Sequence, residues 1–373
     1  MVVVDSRAPG RHGFRRAARA STALIHDLND LGFGPDLATH VPPDLGGDTF
    51  ISRVVADHGA LLTLLGRSHP VVARPPSVHD PLDRPSVGDW VIARRTGGEP
   101  PAIVTTLLPR RTVLVRQSTG LASRPQVMAA NVDRVLVVTS MNRDFNVNRL
   151  ERYLAVVAAS GAEGVLVVHK ADLDPTGERR YRAKLGAIPS AFRVVFTSAV
   201  LDGGLQPLEP LLAPGETIAL IGSSGVGKST LTNHLIGGDV QTVQSQRLDD
   251  DRGRHTTTGR RLFVLPGNRG LLIDTPGMRE LGLWTSEGLA EAFADIERLE
   301  RSCQYRDCSH GGEDGCAVAH ALREGRLEER RWTHHLKLKR EAEYAERRRN
   351  RSQDRVGGRK WTKQIRSLKK DAW

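Results

Sequence analysis

Residues 222–229 read Gly222-Ser223-Ser224-Gly225-Val226-Gly227-Lys228-Ser229, and this stretch decides the fold. It follows the G-x-x-x-x-G-K-[ST] pattern of a phosphate-binding loop. The apolar run Thr217–Ile221 precedes it, and a helical stretch begins at Lys228. Glycines in this position let backbone N–H groups surround phosphate oxygens, and the helix dipole favours the negative charge. We expect Lys228 to contact the β- and γ-phosphates and Ser229 to bind Mg²⁺.

A second motif lies further along the chain, where an apolar run leads into Asp274-Thr275-Pro276-Gly277. A carboxylate at the end of a strand can organise Mg²⁺, directly or through water, and Gly277 can donate its backbone N–H to a γ-phosphate. The same residues could instead form a plain turn. Because they follow a phosphate loop, we interpret Asp274 as part of a nucleotide site.

Between these motifs lies Gly253-Arg254-His255-Thr256-Thr257-Thr258. A GTPase needs a threonine on a mobile loop to complete Mg²⁺ coordination and to sense the γ-phosphate. We predict that Thr257 has this role, with Thr256 as the nearest alternative. Small GTPases often place Gln after the glycine of the second motif to orient the attacking water, but this chain has Met278. Intrinsic hydrolysis should therefore be slow, and either His255 or a group from a partner must assist.

The base that the site selects is indicated by His169-Lys170-Ala171-Asp172, which follows the apolar run Gly164–Val168. This string is similar to the N-K-x-D guanine motif of GTPases. The Asp172 carboxylate can accept from guanine N1–H and the N2 amino group, while adenine offers no such pair of donors. Further on, Phe196-Thr197-Ser198-Ala199 resembles the loop whose backbone amide meets guanine O6. We therefore predict that the nucleotide is GTP rather than ATP.

The motifs run in a permuted order, because ordinary GTPases begin with the phosphate loop and end with the base motifs. A sheet can still assemble from such a chain, since permutation changes loops rather than neighbours. The predicted GTP-binding residues are His169, Lys170, Ala171, Asp172, Ser198, Ala199, Gly222, Ser223, Ser224, Gly225, Val226, Gly227, Lys228, Ser229, Thr230 and Gly277. The predicted catalytic residues are Lys228, Thr257, Asp274 and His255, and the predicted magnesium ligands are Ser229, Thr257 and Asp274.

The chain is long enough for several domains. We predict an extension at 1–45, an OB-type β-barrel at 46–127, a circularly permuted α/β P-loop GTPase domain at 128–295, a zinc-binding helical domain at 296–340 and a basic tail at 341–373. The barrel rests on five short β-rich runs between turn residues, which are Phe50–Val55, Ala60–Leu65, Asp89–Arg94, Ala102–Leu107 and Thr112–Arg116. Barrels of this type commonly bind RNA. The arginines that could contact phosphates are Arg94, Arg95, Arg110, Arg111 and Arg116.

All three cysteines fall in one short cluster, Cys303-x4-Cys308-x-His310-x5-Cys316. An odd, clustered set in a chain without an evident secretion signal favours metal over disulfides. Three thiolates and one imidazole complete a tetrahedral Zn²⁺ site with no open position, so the metal should be structural. The alternative is three buried apolar cysteines with an unrelated histidine, but the polar, turn-forming surroundings favour a metal loop.

The net charge of +11 favours a polyanionic partner, of which nucleic acid is the commonest. Much of the excess lies in residues 339–373, which hold 13 Lys or Arg and 5 Asp or Glu. A solvated helix is the alternative interpretation of this segment. No apolar run is long enough to span a bilayer, and no signal peptide begins the sequence. We expect a monomeric cytoplasmic protein that binds RNA and has no membrane partner.

Together, residues 45–340 resemble the RsgA family of ribosome small-subunit-dependent GTPases. The resemblance rests on the barrel, the permuted motifs, the Gly253–Thr258 string and the spacing of the cysteine cluster, and His169 stands where the family usually has Asn. It implies a bacterial cytoplasmic GTPase that binds the immature small ribosomal subunit and its rRNA late in assembly. GTP would favour binding, hydrolysis would favour release, and the subunit would stimulate turnover.

Two other classes of function are compatible with parts of the sequence. A metabolic kinase could use the phosphate loop to phosphorylate a small molecule, which predicts ATP preference and no need for the base motif. An RNA-binding module with a degenerate nucleotide site would bind RNA whether or not GTP is present. GTPase assays with and without small subunits, with ATP as control, separate the three hypotheses.

Overall fold

The structure is a computed structural model that describes residues 27–97, 100–117, 125–237, 260–275, 282–283 and 285–348. Backbone contacts divide the chain into two compact units, Met1–Leu281 and Gly282–Trp373. The first unit contains a β-barrel and a mainly parallel sheet. The described part of the second unit contains four helices and the cysteine cluster.

The barrel is built from five strands: β1 (Thr49–Asp57), β2 (Leu62–Leu65), β3 (Val71–Arg74), β4 (Trp90–Arg94) and β5 (Ala102–Leu107). The order is β1-β2-β3-β5-β4, and β4 pairs back with β1, so the sheet closes on itself. Val54, Leu64 and Val91 are among the apolar side chains that fill its interior. Closure satisfies the backbone hydrogen bonds of both edges, and the predicted OB-type barrel is confirmed.

The prediction of one barrel strand is wrong. The run predicted as its fifth strand forms β6 (Val113–Gln117), which pairs with β7 (Pro125–Ala130) in a separate two-stranded sheet. The missing barrel strand is β3, which has only four residues between Pro70 and Pro75 and was not predicted. Strand formation depends on packing and pairing as much as on composition, so local β-propensity could not assign either run to its sheet.

The parallel sheet uses six strands: β8 (Arg134–Ser140), β9 (Glu163–His169), β10 (Arg193–Phe196), β11 (Thr217–Gly222), β12 (Arg261–Val264) and β13 (Leu271–Asp274). Their order is β10-β9-β8-β11-β13-β12, and only β12 runs antiparallel to its neighbour in this group. The α-helices among the described residues of the first unit are α1 (Pro35–Ala38), α2 (Val147–Ala159), α3 (Glu178–Leu185) and α4 (Lys228–Ile236). The central strands are buried along nearly their whole length, as expected of a sheet covered on both faces.

The connectivity of this sheet explains how a permuted chain forms an ordinary nucleotide fold. From β8 the chain adds β9 and β10 on one side, and β11 and β13 then lie on the other side. Strand order therefore reverses between β8 and β11. In open α/β sheets, ligands bind at the carboxyl ends of strands beside such a reversal.

Arg53 joins the barrel to the segment that leads into the parallel sheet. Its guanidinium donates to the carbonyl oxygens of Leu31 at 2.5 Å, Gly88 at 3.0 Å and Asn131 at 2.9 Å. The side chain is only 1% exposed, and burial lowers its pKa to about 10. Strand pairing also runs between the two parts, since Ala56 of β1 pairs with Arg261 of β12.

The second unit contains helices α5 (Leu289–Ala292), α6 (Ala294–Arg301), α7 (Ala317–Arg323) and α8 (329–348). Phe293 is fully buried between α5 and α6, and the Arg331 guanidinium lies over its ring at 4.7 Å. Arg331 also forms an ion pair with Asp295 at 2.6 Å, which ties α8 to α6. Within the described residues, no helix is long and apolar enough to span a membrane.

Candidate nucleotide-binding site and metal cluster

Five parallel strands deliver the predicted nucleotide residues to one edge of the sheet. The pairing of β11 with β13 sets Leu220 beside Asp274, and the pairing of β8 with β9 sets Ser140 beside His169. Gly222 ends β11 and opens the phosphate loop, while Thr197 and Ser198 follow β10. The structure therefore brings together the phosphate motif, the acidic strand end and both base motifs.

Two glycines of the phosphate loop are required by close contacts. A Cβ on Gly222 would lie 2.2 Å from the Val138 carbonyl oxygen. At Gly227, where φ is +105°, a Cβ would lie 2.3 Å from His169 Cδ2. Any larger residue at either position would force the backbone of the loop away from β8 or β9. Ser229 and Thr230 are exposed in the first turn of α4.

Lys228 lies against the backbone of its own loop. Its ammonium group donates to the carbonyl oxygens of Gly222 at 2.7 Å and Ser223 at 2.5 Å. Burial lowers the Lys228 pKa, and the nearby Asp274 carboxylate opposes this shift. The proximity of these two side chains agrees with a site that handles a phosphate group together with a divalent cation.

The base motifs of β9 and β10 meet directly. The Ser198 hydroxyl donates to Asp172 Oδ1 at 2.5 Å, and the Ala171 backbone N–H donates to the Thr197 carbonyl at 3.0 Å. Lys170 adopts a left-handed conformation, with φ of 58°, and its ammonium group donates to the Gly225 carbonyl at 2.8 Å. The Lys170 side chain therefore spans from the base motif to the phosphate loop.

His169 occupies a buried position beneath the phosphate loop. It is 2% exposed, its Nδ1 lies 3.0 Å from the Thr197 hydroxyl, and its ring borders Gly227. Burial, followed by the charge of Lys170, lowers the His169 pKa. A neutral imidazole thus packs between β9, β10 and the loop, and its contact with Gly227 is not evident from the sequence.

Some of the predicted residues lie outside the described part of the chain, namely His255, Thr256, Thr257, Gly277 and Met278. Their predicted roles stay predictions. Thr275 was not singled out from the sequence, yet its buried hydroxyl donates to the Leu220 carbonyl at 2.5 Å. This bond fixes the end of β13 against β11 directly after Asp274.

The four predicted metal ligands come together in the second unit. The ligand atoms of Cys303, Cys308, His310 and Cys316 all lie within 4.8 Å of one another. His310 Nδ1 is 3.5 Å from the Cys303 sulfur and 3.7 Å from the Cys316 sulfur. Burial and the neighbouring sulfurs raise the pKa of the Cys308 thiol to about 12. Three sulfurs and one imidazole nitrogen this close together form a donor set that fits a thiophilic metal.

Comparison with known proteins places this architecture in a family. A family model described as RsgA GTPase matches residues 107–284. The chain is 41% identical over 336 residues to a small ribosomal subunit biogenesis GTPase RsgA of Opitutus terrae, covering 86% of this chain and 91% of that protein. A protein of the same name from Methanosarcina acetivorans is 46% identical over 251 residues, covering 66% of this chain and 67% of that protein. The chain belongs to the RsgA GTPase family.

Solved structures support the fold of this family member. YloQ, described as a circularly permuted GTPase, superposes with a TM-score of 0.56 at 23% identity, covering 83% of this chain and 98% of that chain. YjeQ from Thermotoga maritima gives a TM-score of 0.56 at 24% identity, covering 78% of this chain and 97% of that chain. The predicted fold class is thus confirmed. Membership of the RsgA GTPase family confirms the predicted GTPase activity and disfavours the alternative of a small-molecule kinase.

Proposed function

We propose that this RsgA-family GTPase acts in the biogenesis of the small ribosomal subunit, binding its rRNA under the control of GTP. The observation that carries the proposal is that Lys170 contacts the phosphate loop at Gly225 while Ser198 and Asp172 meet at the same sheet edge. The chain also spans 91% of the Opitutus relative, whose name states that role. A GTPase site joined to an OB-type barrel suits a switch that acts on RNA.

The nucleotide would be held by groups from both halves of the site. Backbone N–H groups of 222–230 would bind phosphate oxygens, and the Lys228 ammonium would neutralise the charge that develops on them. Asp172 would select guanine, with Ser198 holding the carboxylate in place. His169, Lys170 and Ala171 would set the distance between the base motif and the phosphate loop, and Ala199 would present its backbone to the base.

We assign Mg²⁺ to Ser229, Thr257 and Asp274. Ser229 begins α4 directly after the loop, and Asp274 ends β13 beside β11. When bound there, the cation would supply positive charge that offsets the charge of the phosphate group. His255 or a group from the subunit would orient the attacking water, while Gly277 would sense the γ-phosphate.

The Cys303, Cys308, His310 and Cys316 cluster would hold one Zn²⁺. Its three sulfurs and one ring nitrogen complete a tetrahedral set, so zinc would stabilise the loop between α6 and α7 rather than take part in hydrolysis. The predicted boundaries of the functional domains, at 46–127, 128–295, 296–340 and 341–373, belong to this proposal. The proposal also includes a monomeric state, a cytoplasmic location and the absence of a membrane partner.

The arginines proposed to contact rRNA divide into two groups. Arg94 and Arg95 are exposed at the end of β4. Arg110 instead pairs with the buried Asp89 at 2.7 Å and is only 14% exposed, so it serves the barrel rather than a phosphate. Arg111 pairs with Asp133 at 3.3 Å, and Arg116 donates to Gln126. We therefore assign the phosphate contacts of the barrel first to Arg94 and Arg95.

The test is the GTPase rate of the full chain with and without purified small ribosomal subunits, beside ATP as a control. Because Met278 replaces the usual glutamine, the chain by itself should hydrolyse GTP slowly. Its GTPase rate should rise when small subunits are added. Large subunits supply the matched control. Equal rates with no subunits, small subunits and large subunits would contradict the proposed role.

A further inference from the structure

Glu300 lies in the last turn of α6, where the helix dipole disfavours a carboxylate. Despite this, its side chain is only 15% exposed. Its Oε1 atom lies 3.7 Å from His310 Nε2, 3.7 Å from His335 Nε2 and 3.6 Å from the Lys339 ammonium. One carboxylate oxygen therefore faces a member of the metal cluster and two side chains of α8.

The orientation of the His310 ring distinguishes its two nitrogens. Nδ1 faces the sulfurs of Cys303 and Cys316, and Nε2 faces Glu300. The ring is also bordered by Trp332, whose ring centroid is 5.5 Å away in an edge-to-face arrangement. His310 has a left-handed backbone with φ of 59° in the loop between α6 and α7.

Histidine ligands commonly donate the N–H of their second nitrogen to a carboxylate, which fixes the tautomer and raises the basicity of the metal-binding nitrogen. We propose that Glu300 is the positioning residue of the metal cluster, keeping the proton of His310 on Nε2 so that Nδ1 binds the metal. This inference rests on the zinc site proposed above. It specifies that the metal binds to Nδ1 of His310 and that Glu300 is the side chain that selects this nitrogen.

The same carboxylate connects the metal loop to α8. His335 is 1% exposed and stacks on Trp332 with centroids 5.7 Å apart, and neither of its ring nitrogens has a hydrogen-bond partner in the described structure. Its Nε2 lies 3.7 Å from the Glu300 carboxylate, and the charges of Lys339, Arg331 and Asp295 also act on the ring. Glu300 thus acts on His310 from one side, while α8 holds Glu300 from the other.

The first experiment measures zinc affinity of the full chain by competition with a chromophoric chelator. Glu300→Gln keeps the size of the side chain but removes its charge, and we expect affinity to fall roughly 10- to 100-fold, the usual effect of losing such a partner. Glu297→Gln is the matched control, because Glu297 lies on the same helix and pairs with Arg301. Lys339→Met removes a contact of Glu300 without touching His310, and we expect near-normal affinity.

Two results of this experiment would overturn the inference. One is an unchanged affinity in Glu300→Gln. The other is an equal loss in Lys339→Met, which would show that Glu300 acts only by anchoring α8. A chain that is folded and binds no zinc at all would instead overturn the metal site itself, so the two failures are distinguishable.

The second experiment does not depend on the stability of a variant. The full chain is labelled with ¹⁵N-histidine and loaded with ¹¹³Cd²⁺, and the ¹¹³Cd–¹⁵N coupling is located by NMR. We expect the coupling on Nδ1 of His310, with a proton on Nε2. Coupling on Nε2 would refute the inference while leaving the metal site intact.

Discussion

The Asp172 carboxylate is held by Ser198, whose hydroxyl donates to it at 2.5 Å. Beside it, the buried His169 fills the space between Thr197 and Gly227. An asparagine amide has two N–H donors and a carbonyl acceptor, whereas a neutral imidazole has only one donor and one acceptor nitrogen. The ring packs against Gly227, where a Cβ would lie 2.3 Å from His169 Cδ2.

We expect Asp172→Asn to weaken GTP binding roughly 10- to 150-fold, because a hydrogen bond to a charged group contributes about 1.5–3 kcal/mol. The amide replaces an acceptor with a donor toward the guanine N2 amino group, so xanthosine triphosphate, which has an oxygen there, should bind better than before. Binding is measured by titration calorimetry with both nucleotides. Asp174→Asn is the control, since Asp174 pairs with Arg180 outside the site. Unchanged nucleotide preference in Asp172→Asn would contradict the assignment.

At the level of elements, the barrel and the parallel sheet are joined by a few well-defined contacts. Arg53 of β1 donates to three carbonyl oxygens, one of them at Asn131 shortly before β8. Nearby, Asp133 accepts from the Thr217 backbone N–H at 2.7 Å, at the start of the strand that leads to the phosphate loop. The position of the barrel is therefore linked to the strand that leads into the phosphate loop and Lys228.

Arg53→Met should destabilise the first unit by several kcal/mol, because the buried carbonyl groups of Leu31 and Asn131 lose their side-chain donor and each costs about 1–3 kcal/mol. The Gly88 carbonyl still accepts from the Asn131 side-chain amide. The methionine side chain fills much of the space but cannot hydrogen-bond. Thermal unfolding of the full chain should show a lower midpoint for this variant, and Arg94→Met, on the exposed end of β4, should differ little from the parent. Equal midpoints for all three proteins would show that Arg53 does not hold the barrel in place.

At the scale of the whole molecule, the proposed function requires the nucleotide to change affinity for RNA. A ligand shifts such an equilibrium only when the two states contact the partner differently. The pairing of β1 with β12 and the Arg53 contacts supply a continuous connection from the nucleotide sheet to the barrel. Since RNA contacts release counterions, binding should also weaken steeply as salt increases.

We expect the GTP state to bind small subunits roughly 5- to 150-fold more tightly than the GDP state, which corresponds to a coupling of about 1–3 kcal/mol. Lys228→Ala should abolish this difference because the phosphate group is no longer held. The difference in affinity is measured by co-sedimentation with small subunits at one fixed salt concentration, with GDP and with a non-hydrolysable GTP analogue. Indistinguishable binding of the parent chain in both states would leave a GTPase with an RNA-binding surface but no switch.

The sequence by itself determined the parts whose geometry is encoded locally. The phosphate loop, Asp172, Asp274 and the four clustered candidate metal ligands each follow from short spacings, because a few consecutive residues set where backbone amides, carboxylates or thiols point. The family resemblance and the permuted order were readable for the same reason. The five-strand barrel was also predicted, since alternating short apolar runs indicate it.

Only the tertiary structure decided which distant groups meet. It placed Val71–Arg74 in the barrel and paired the 113–117 strand elsewhere. It directed Arg110 to the buried Asp89 rather than to solvent. It also set His169 against Gly227 and Glu300 against His310. These contacts join residues from different elements, so they depend on how strands and helices pack together, and that packing is not contained in the spacing of neighbouring residues.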